Sequence, residues 1–289
     1  MAEAVDPPFD RPDAGFNALE GWTWIGCYGG YYLQSDRLSA FEHGFFTRQW
    51  QGRGPEVLAG YVSAGVSVHR PQQVHSARVL NASAASAEPW PEADGLVSDA
   101  GGQSLWVCGA DCTPVLLADP QSGRVAACHA GWRGVAGGIV LRAIERLEAL
   151  GCRRAELLVA LGPAVSGGHY QVEQSVAEQV AASMAASMPG GLAEALAALE
   201  ACGALQADPD GVAGRVRLDI RLAQRLQLEM AGLDAHHISL CPLCTVAEPL
   251  LFHSWRRDQQ KVVQWSGIVS QQVDGGWPTQ HLHGLTDAH

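Results

Sequence analysis

Hydrophobic and polar positions follow two different periods along the chain. Between residues 22 and 79 the apolar residues form short β-branched and aromatic runs cut by Gly and Pro, which is typical of strands. In the second half, strand-like runs alternate with segments of helical period. Val140, Ile144 and Leu147 share one helical face, and Gly151 is a typical helix stop. Because no linker or internal repeat divides the chain, the pattern predicts one mixed α/β domain.

The two ends of the chain lack this periodicity. We expect residues 1–20 to form a flexible leader and residues 272–289 a flexible tail, which leaves residues 21–271 for the domain. The N-terminal sequence is acidic and rich in Pro, unlike a signal peptide, and no apolar run approaches the ~18 residues of a spanning helix. Eight cysteines are far below the density of a disulfide scaffold. These features predict a reducing, cytoplasmic location.

One hairpin is the most informative segment for chemistry. The apolar runs PVLLAD and RVAACHA flank the turn sequence PQSG. If the turn is centred between Pro120 and Gln121, Cys112 lies directly opposite His129 on the same face of the sheet. Directly opposed side chains have Cβ atoms about 4.5 to 5.5 Å apart, which is close enough for both to bind one ion. A one-residue change in loop length would place them on opposite faces.

The Gly-rich segment AGWRGVAGG follows His129 and leads into a predicted helix. Such a turn can direct free backbone N–H groups at an anion beside His129. A tight turn that needs Gly only for steric reasons explains the segment equally well.

Charge and composition limit the possible partners. The formal net charge is −11, so the chain has no basic surplus to neutralise a nucleic-acid backbone. Apolar residues make up 47% and charged residues 17%, as in a compact globule. We therefore expect neither nucleic-acid nor membrane binding, although a single anionic small molecule could still be bound locally.

Most other Cys and His residues lack the context of a known site. The pair Cys241 and Cys244 has no second CxxC partner for a zinc ribbon and no redox-motif context, so buried free thiols are the commoner outcome. The H-x-E and P-C-x-x-C motifs of cytidine-type deaminases are absent, as is the G-x-S-x-G motif of serine hydrolases. Two His pairs could suggest copper, but we place one in the tail and the other on opposite faces of a strand. These pairs are His281 with His283 and His236 with His237.

A series of motifs, in order over roughly residues 40–270, resembles the laccase-domain family. This family was long labelled multicopper polyphenol oxidase of the YfiH type and was later reassigned to purine nucleoside metabolism. The motifs are HGFFTR (43–48), QVHSARV (73–79), ADGLVS (93–98), CGADCTPVLLAD (108–119), CHAGWRG (128–134), LGPAVS (161–166), CT (244–245) and FHSWRRD (252–258).

The resemblance implies a layered αββα sandwich and one zinc ion per chain, bound by His75, Cys112 and His129. It also implies phosphorolysis of adenosine, guanosine, inosine and methylthioadenosine, together with adenosine deamination. Arg48 corresponds to an arginine near the bound nucleoside or phosphate. The chain departs from the family pattern at the pocket rim, where a pair of cysteines is replaced by Gly168 and His169 and a late Asn by Gln224.

Three protein ligands and one open position are typical of a catalytic zinc site. Such an ion could lower the pKa of a bound water for attack on purine C6, or orient phosphate against ribose C1′. An anion held by Arg48 and backbone N–H groups would stabilise the oxocarbenium-like state at C1′. Asp111 is a candidate acid/base group, and a turn-capping role explains it equally well. We predict Cys112, Arg48 and Asp111 as the catalytic residues. We expect the protein to be a monomer or a weak homo-oligomer.

Three other interpretations remain open at this point. One is a copper-dependent polyphenol oxidase, for which the chain offers only one H-x-H pair. Another is a metal-free hydrolase with Cys112 as nucleophile and His129 or His75 as base. A non-enzymatic partner-binding module has no supporting signal in the sequence.

Overall fold

The computed structural model describes residues 19–27 and 30–271. The predicted tail at residues 272–289 lies outside the described residues, as does the predicted leader except for its last two positions. Within the described ranges the strands are β1 (Trp22–Cys27), β2 (Gly30–Ser35), β3 (His43–Phe46), β4 (Ser67–His69), β5 (Val79–Asn81), β6 (Gly95–Val97), β7 (Gln103–Gly109), β8 (Thr113–Ala118), β9 (Val125–Ala130), β10 (Leu158–Leu161), β11 (Gln171–Glu173), β12 (Leu205–Ala207), β13 (Arg215–Leu218), β14 (Ile238–Leu240) and β15 (Gln264–Val269). The helices are α1 (Pro55–Val62), α2 (Trp132–Ala136), α3 (Ile139–Ala149), α4 (Gln174–Ala185), α5 (Gly191–Ala201), α6 (Ile220–Met230) and α7 (Trp255–Asp258).

Two six-stranded sheets stack on each other to form the centre of the fold. The first sheet has the order β1-β2-β3-β15-β7-β4 and the second the order β14-β10-β8-β9-β6-β5. Strand alternation directs Leu105 and Val107 of β7 and Leu116 of β8 into the core between the sheets. A separate three-stranded sheet has the order β11-β13-β12.

Helices cover the two outer faces of this sandwich. On the first sheet, Leu58 of α1 packs in one cluster with Phe46 and Trp106. On the second sheet, α2 to α6 contribute to a large cluster that includes Ile144 and Leu147 of α3. The layers are therefore α, β, β, α, which confirms the predicted fold class.

The helical predictions in the second half are confirmed. The face of α3 predicted to be apolar is buried, and Gly151 follows the helix with φ of +95°. Two helices, α4 and α5, lie on either side of Pro189. Gly232, which follows α6, also has a positive φ of +92°, typical of a residue just after a helix. No helix in residues 19–27 and 30–271 combines the length and apolarity needed to cross a bilayer.

The predicted register of the informative hairpin is wrong by two residues. Strands β8 and β9 pair Pro114, not Cys112, with His129. The turn is centred one position later than predicted because the Asp119 carboxylate accepts hydrogen bonds from the Gln121 N–H and the Ser122 hydroxyl. Cys112 lies in the bend before β8, and its ligand atom still comes within 4.8 Å of that of His129.

The hairpin turn also contacts the last described residue. Gly123 has φ of +69°, and its carbonyl accepts a hydrogen bond of 2.9 Å from the Gln271 N–H. A side chain at Gly123 would meet the Gln271 backbone, so the close approach requires Gly here.

Two predicted strand segments are wrong. His236 and His237 lie in a short 3-10 turn, because the Asp234 carboxylate accepts the His236 N–H. Residues 74–78, at the end of the strand-like region predicted between residues 22 and 79, also form an irregular segment before β5.

Candidate metal centre

Three side chains from separate parts of the chain converge at one end of the β8–β9 hairpin. His75, Cys112 and His129 each offer one ligand atom, and these atoms all lie within 4.8 Å of one another. His129 is in β9 and is only 4% exposed, Cys112 lies in the bend before β8, and His75 is exposed in the segment before β5. The two imidazole rings meet edge to face at 4.9 Å. This group could hold a metal ion, and no second group of this kind is found in residues 19–27 and 30–271.

A buried carboxylate lies behind the two histidines. Asp94 precedes β6, is fully buried, and accepts a 2.9 Å hydrogen bond from His129 Nδ1. It also accepts N–H groups from the segment that carries His75. Burial alone would raise the pKa of Asp94, but hydrogen bonds from His129 and Ser76 outweigh it and lower the pKa to about 2. Asp94 is therefore an anion that only accepts hydrogen bonds at neutral pH.

Electrostatics favour the thiolate form of Cys112. Burial would raise its pKa, but hydrogen bonding to His129 and His75 outweighs burial and lowers the pKa from 9.0 to about 6. Burial would lower the pKa of His129, but Asp94 and Cys112 raise it to about 9. The thiolate is the form of Cys that binds a metal, so the protein preorganises this ligand.

The site opens into a cleft of about 610 Å³, a size typical of small-molecule sites. Its wall carries three cationic side chains, from Arg133, Arg256 and Lys261. Three aromatic residues also line it, namely Trp132, Tyr170 and Trp255. The cleft is thus locally positive in a chain whose net charge is −11.

Arg256 is fixed by two neighbours. Its guanidinium lies 4.8 Å from the ring centre of Tyr170, and its Nη1 donates to the Gln171 carbonyl at 3.0 Å. Burial raises the pKa of Tyr170 to about 12, so its hydroxyl stays protonated.

Asp111, predicted as a catalytic candidate, lines the cleft, and its carboxylate is bonded within the protein. One oxygen accepts the Thr245 hydroxyl at 2.6 Å and the other accepts the Arg256 N–H at 2.7 Å. Asp111 has a positive φ of +98°. The residue therefore ties the bend before β8 to the start of α7.

Arg48, the other candidate from the sequence, is placed differently. Its guanidinium donates to the Pro249 carbonyl, and it is not among the residues that line the cleft. The structure thus brings together His75, Cys112, His129 and Asp111 and leaves Arg48 outside the cleft wall.

Residues 56–270 match the family model described as multi-copper polyphenol oxidoreductase laccase, which is more than half of the chain. The chain belongs to this family. Among relatives of this laccase-family protein, the purine nucleoside phosphorylase slr1573 of Synechocystis sp. is 40% identical over 259 residues, which cover 86% of this chain and 97% of the relative. The purine nucleoside phosphorylase of Deinococcus radiodurans is 36% identical over 189 residues, or 65% of this chain and 64% of the relative.

Solved structures share the fold of this family member. YlmD from Geobacillus stearothermophilus has a TM-score of 0.70 at 24% identity and covers 86% of this chain and 99% of its own. The Neisseria meningitidis protein NMB0706 has a TM-score of 0.64 at 27% identity and covers 87% of this chain and 100% of its own.

The donor set in this laccase-family chain fits a zinc ion. Two imidazole nitrogens and one thiolate are ligands that zinc accepts, and three protein ligands leave a fourth position for water or substrate. The predicted H-x-H pair in the tail, His281 and His283, lies outside the described residues.

Sequence reasoning missed Asp94 and the cations of the cleft. Asp94, Arg133 and Arg256 stand within the motifs ADGLVS, CHAGWRG and FHSWRRD, so their motif membership was the available signal. Nothing in the local pattern distinguishes a buried, ligand-holding Asp from one that caps a turn.

Proposed function

We propose that this protein is a zinc-dependent purine nucleoside phosphorylase that also deaminates adenosine. The substrates are adenosine, guanosine, inosine or methylthioadenosine with phosphate, and the products are the base and the sugar 1-phosphate. The observation that carries the proposal is a metal-competent His–Cys–His group at a cleft lined by three cations. The names of the curated relatives support the reaction class.

His75, Cys112 and His129 would hold the zinc ion. When bound, zinc supplies a Lewis acid that polarises a substrate oxygen or lowers the pKa of a coordinated water. The protein's own contribution at these positions is a preformed thiolate and an imidazole held by Asp94.

The cations of the cleft would bind phosphate. In phosphorolysis a phosphate oxygen forms a bond to ribose C1′, the C1′–N9 bond breaks, and its electron pair leaves with the purine. The sugar passes through an oxocarbenium-like state, which a neighbouring phosphate anion stabilises. Arg133, Arg256 and Lys261 would hold this anion in place, and a fork-shaped guanidinium matches two phosphate oxygens.

The aromatic residues of the cleft would bind the flat purine. Trp255 is 45% exposed and lines the cleft, so its ring is available to a ligand. An aromatic face stacks on any purine, which suits a broad range of nucleosides. Deamination would require the same base to present C6 to a water, and this activity is part of the proposal.

The test is a product assay with and without phosphate. We expect the purified protein to release hypoxanthine from inosine only when phosphate is supplied, and a zinc chelator to abolish the release. With adenosine, inosine formation measures the deaminase activity separately. Base release that does not depend on phosphate would defeat the proposal.

A matched pair of cysteine variants tests whether zinc binding and activity depend on Cys112. Cys112→Ser should lose bound zinc, measured by elemental analysis, and lose activity with it, because serine is a poor zinc ligand. Cys202 is an exposed free cysteine outside the cleft, so Cys202→Ser should retain both. If Cys112→Ser kept its zinc, the proposed ligand set would be incorrect.

The same samples test the two alternative chemistries. A polyphenol oxidase would purify with copper and oxidise phenols. A metal-free Cys–His hydrolase, which the lowered pKa of Cys112 also suits, would stay active after chelation and be inactivated by alkylation. If zinc protects Cys112 from alkylation and chelation abolishes activity, the phosphorylase is favoured.

We also propose that the protein is cytoplasmic and that it is a monomer or a weakly associated homo-oligomer.

A further inference from the structure

We propose that Asp94 is the positioning residue of the metal centre, because its single carboxylate sets the geometry of both histidine ligands. The inference rests on the proposed metal site but not on the proposed reaction. Asp94 does not belong to the ligand group and does not line the cleft, so it would act through the residues that it holds.

The carboxylate accepts five hydrogen bonds from the ligand segments. Oδ1 accepts His129 Nδ1 at 2.9 Å and the His75 N–H at 3.0 Å. Oδ2 accepts the Ser76 N–H at 2.6 Å, the Ser76 hydroxyl at 2.8 Å and the Val74 N–H at 3.2 Å. Both oxygens therefore accept hydrogen bonds from the segment that carries His75, and Oδ1 accepts hydrogen bonds from both histidines.

For His129 the contact selects the ring tautomer. An ionised carboxylate can only accept, so Nδ1 carries a proton and Nε2 is the nitrogen that a metal would take. The His129 N–H also donates to the Asp94 carbonyl at 2.7 Å, which fixes the backbone of the ligand beside the same residue.

For His75, the hydrogen bonds to the Asp94 carboxylate stabilise an unfavourable backbone conformation. His75 has φ of +59°, a left-handed conformation that is strained for a residue with a Cβ. Three successive N–H groups, from residues 74, 75 and 76, converge on the carboxylate, an arrangement that binds anions well. Asp94 thus offsets the strain that places the His75 side chain beside Cys112.

An amide cannot replace this carboxylate in either orientation. If the NH₂ of Asp94→Asn takes the place of Oδ2, it faces the N–H donors of Val74 and Ser76. If it takes the place of Oδ1, it faces the His75 N–H and forces His129 to accept at Nδ1, which puts the ring proton on Nε2. Either orientation damages one of the two histidine ligands.

The experiment measures zinc affinity by chelator competition and the visible spectrum of bound Co²⁺. Asp94→Asn should bind zinc ~10- to 100-fold more weakly than the parent and show an altered Co²⁺ spectrum. The matched control is Asp219→Asn. Asp219 is also buried and accepts backbone N–H groups, from Arg221, Leu222 and Gly167, but it contacts no ligand. Its zinc affinity should stay within about twofold of the parent, whatever its loss of stability.

A second measurement needs no variant and covers the case in which Asp94→Asn does not fold. In the zinc-loaded parent, nitrogen-15 NMR of the imidazoles should show His129 with a proton on Nδ1 and zinc on Nε2. Zinc on Nδ1 would overturn the proposal, as would an Asp94→Asn variant with parental affinity and spectrum. A parent that binds no zinc would instead overturn the metal centre itself, so the two failures are distinguishable.

Discussion

At the scale of single residues, Gly131 shows how little space surrounds the ligands. A Cβ at this position would lie 2.8 Å from Cys112 Sγ and 3.4 Å from a ring carbon of His75. Its φ of −75° suits any residue, so a substitution acts through volume alone. The space around the proposed ligands, and not the backbone conformation, therefore requires Gly at position 131.

We expect Gly131→Ala to weaken zinc binding by about tenfold, because metal sites tolerate ligand shifts of only ~0.2 Å. Gly168→Ala is the control, since nothing lies within 4 Å of a Cβ there. Chelator competition measures both affinities. Equal affinity in the two variants would show that Cys112 can move without loss.

A second residue, His43, predicts a pH effect on stability. Burial lowers its pKa to about 4, although hydrogen bonding to Phe41 opposes this. Its Nε2 accepts the Ser35 N–H at 2.8 Å and so must stay unprotonated in the fold. The unfolded chain binds this proton near pH 6.5, so the contribution of His43 is complete above pH 6.5 and is lost as the pH falls toward 4.

We expect this loss to reach roughly 2 kcal/mol at pH 5. His43→Gln does not titrate, so the free energy of unfolding of the variant should fall less between pH 7 and pH 5. Denaturant unfolding at the two pH values measures the difference. Parallel declines in parent and variant would mean that His43 does not account for the effect.

At the scale of elements, Asp111 links the bend before β8 to α7, which carries Trp255 and Arg256 of the cleft. Its partners allow a test of the acid/base role predicted from sequence. In Asp111→Asn the amide can still accept the Arg256 N–H and donate to the Thr245 hydroxyl, because a hydroxyl can reverse its hydrogen bond. The hydrogen-bonded link between the bend and α7 is therefore kept, but the side chain can no longer transfer a proton.

We therefore expect Asp111→Asn to retain kcat within about tenfold. Asp111→Ala removes both acceptors, which should raise KM through displacement of α7. Steady-state kinetics with inosine and phosphate separates the two parameters. A ~100-fold or greater fall in kcat for the Asn variant would support the predicted acid/base role.

The hairpin shows what the sequence could predict about an element and what it could not. The apolar runs located both strands, and the assumed turn centre placed Cys112 and His129 on one face. The register depended on whether Asp119 extends the strand or folds its carboxylate onto Gln121 and Ser122. Such local hydrogen bonds differ by about 1 kcal/mol and leave no trace in hydrophobic periodicity.

At the scale of the whole molecule, the proposed zinc ligands connect the β8–β9 hairpin, which positions Cys112 and His129, to the separate segment that carries His75. A ligand that binds only the folded chain stabilises it by mass action, by about 2.7 kcal/mol at 100 times its Kd. We expect added zinc to raise the thermal midpoint of the parent and chelation to lower it. Cys112→Ser should show neither shift, and a zinc-dependent midpoint in that variant would point to binding elsewhere.

The arrangement of the sheets lay beyond local pattern. Composition and periodicity predicted one mixed α/β domain, and the layered sandwich came from the family resemblance. Strand β15, near the end of the chain, inserts between β3 and β7. Pairing across so many residues depends on burial of both sheet faces together, which no window of the sequence contains.

The contact between Gly123 and Gln271 has a practical consequence for handling the protein. The metal centre lies at one end of the β8–β9 hairpin, and this contact lies at the other. A six-residue strand spans about 20 Å, so Gln271 lies about that far from the proposed zinc ligands. A fluorophore attached at Gln271, which is exposed and does not line the cleft, would therefore leave the cleft open to substrate.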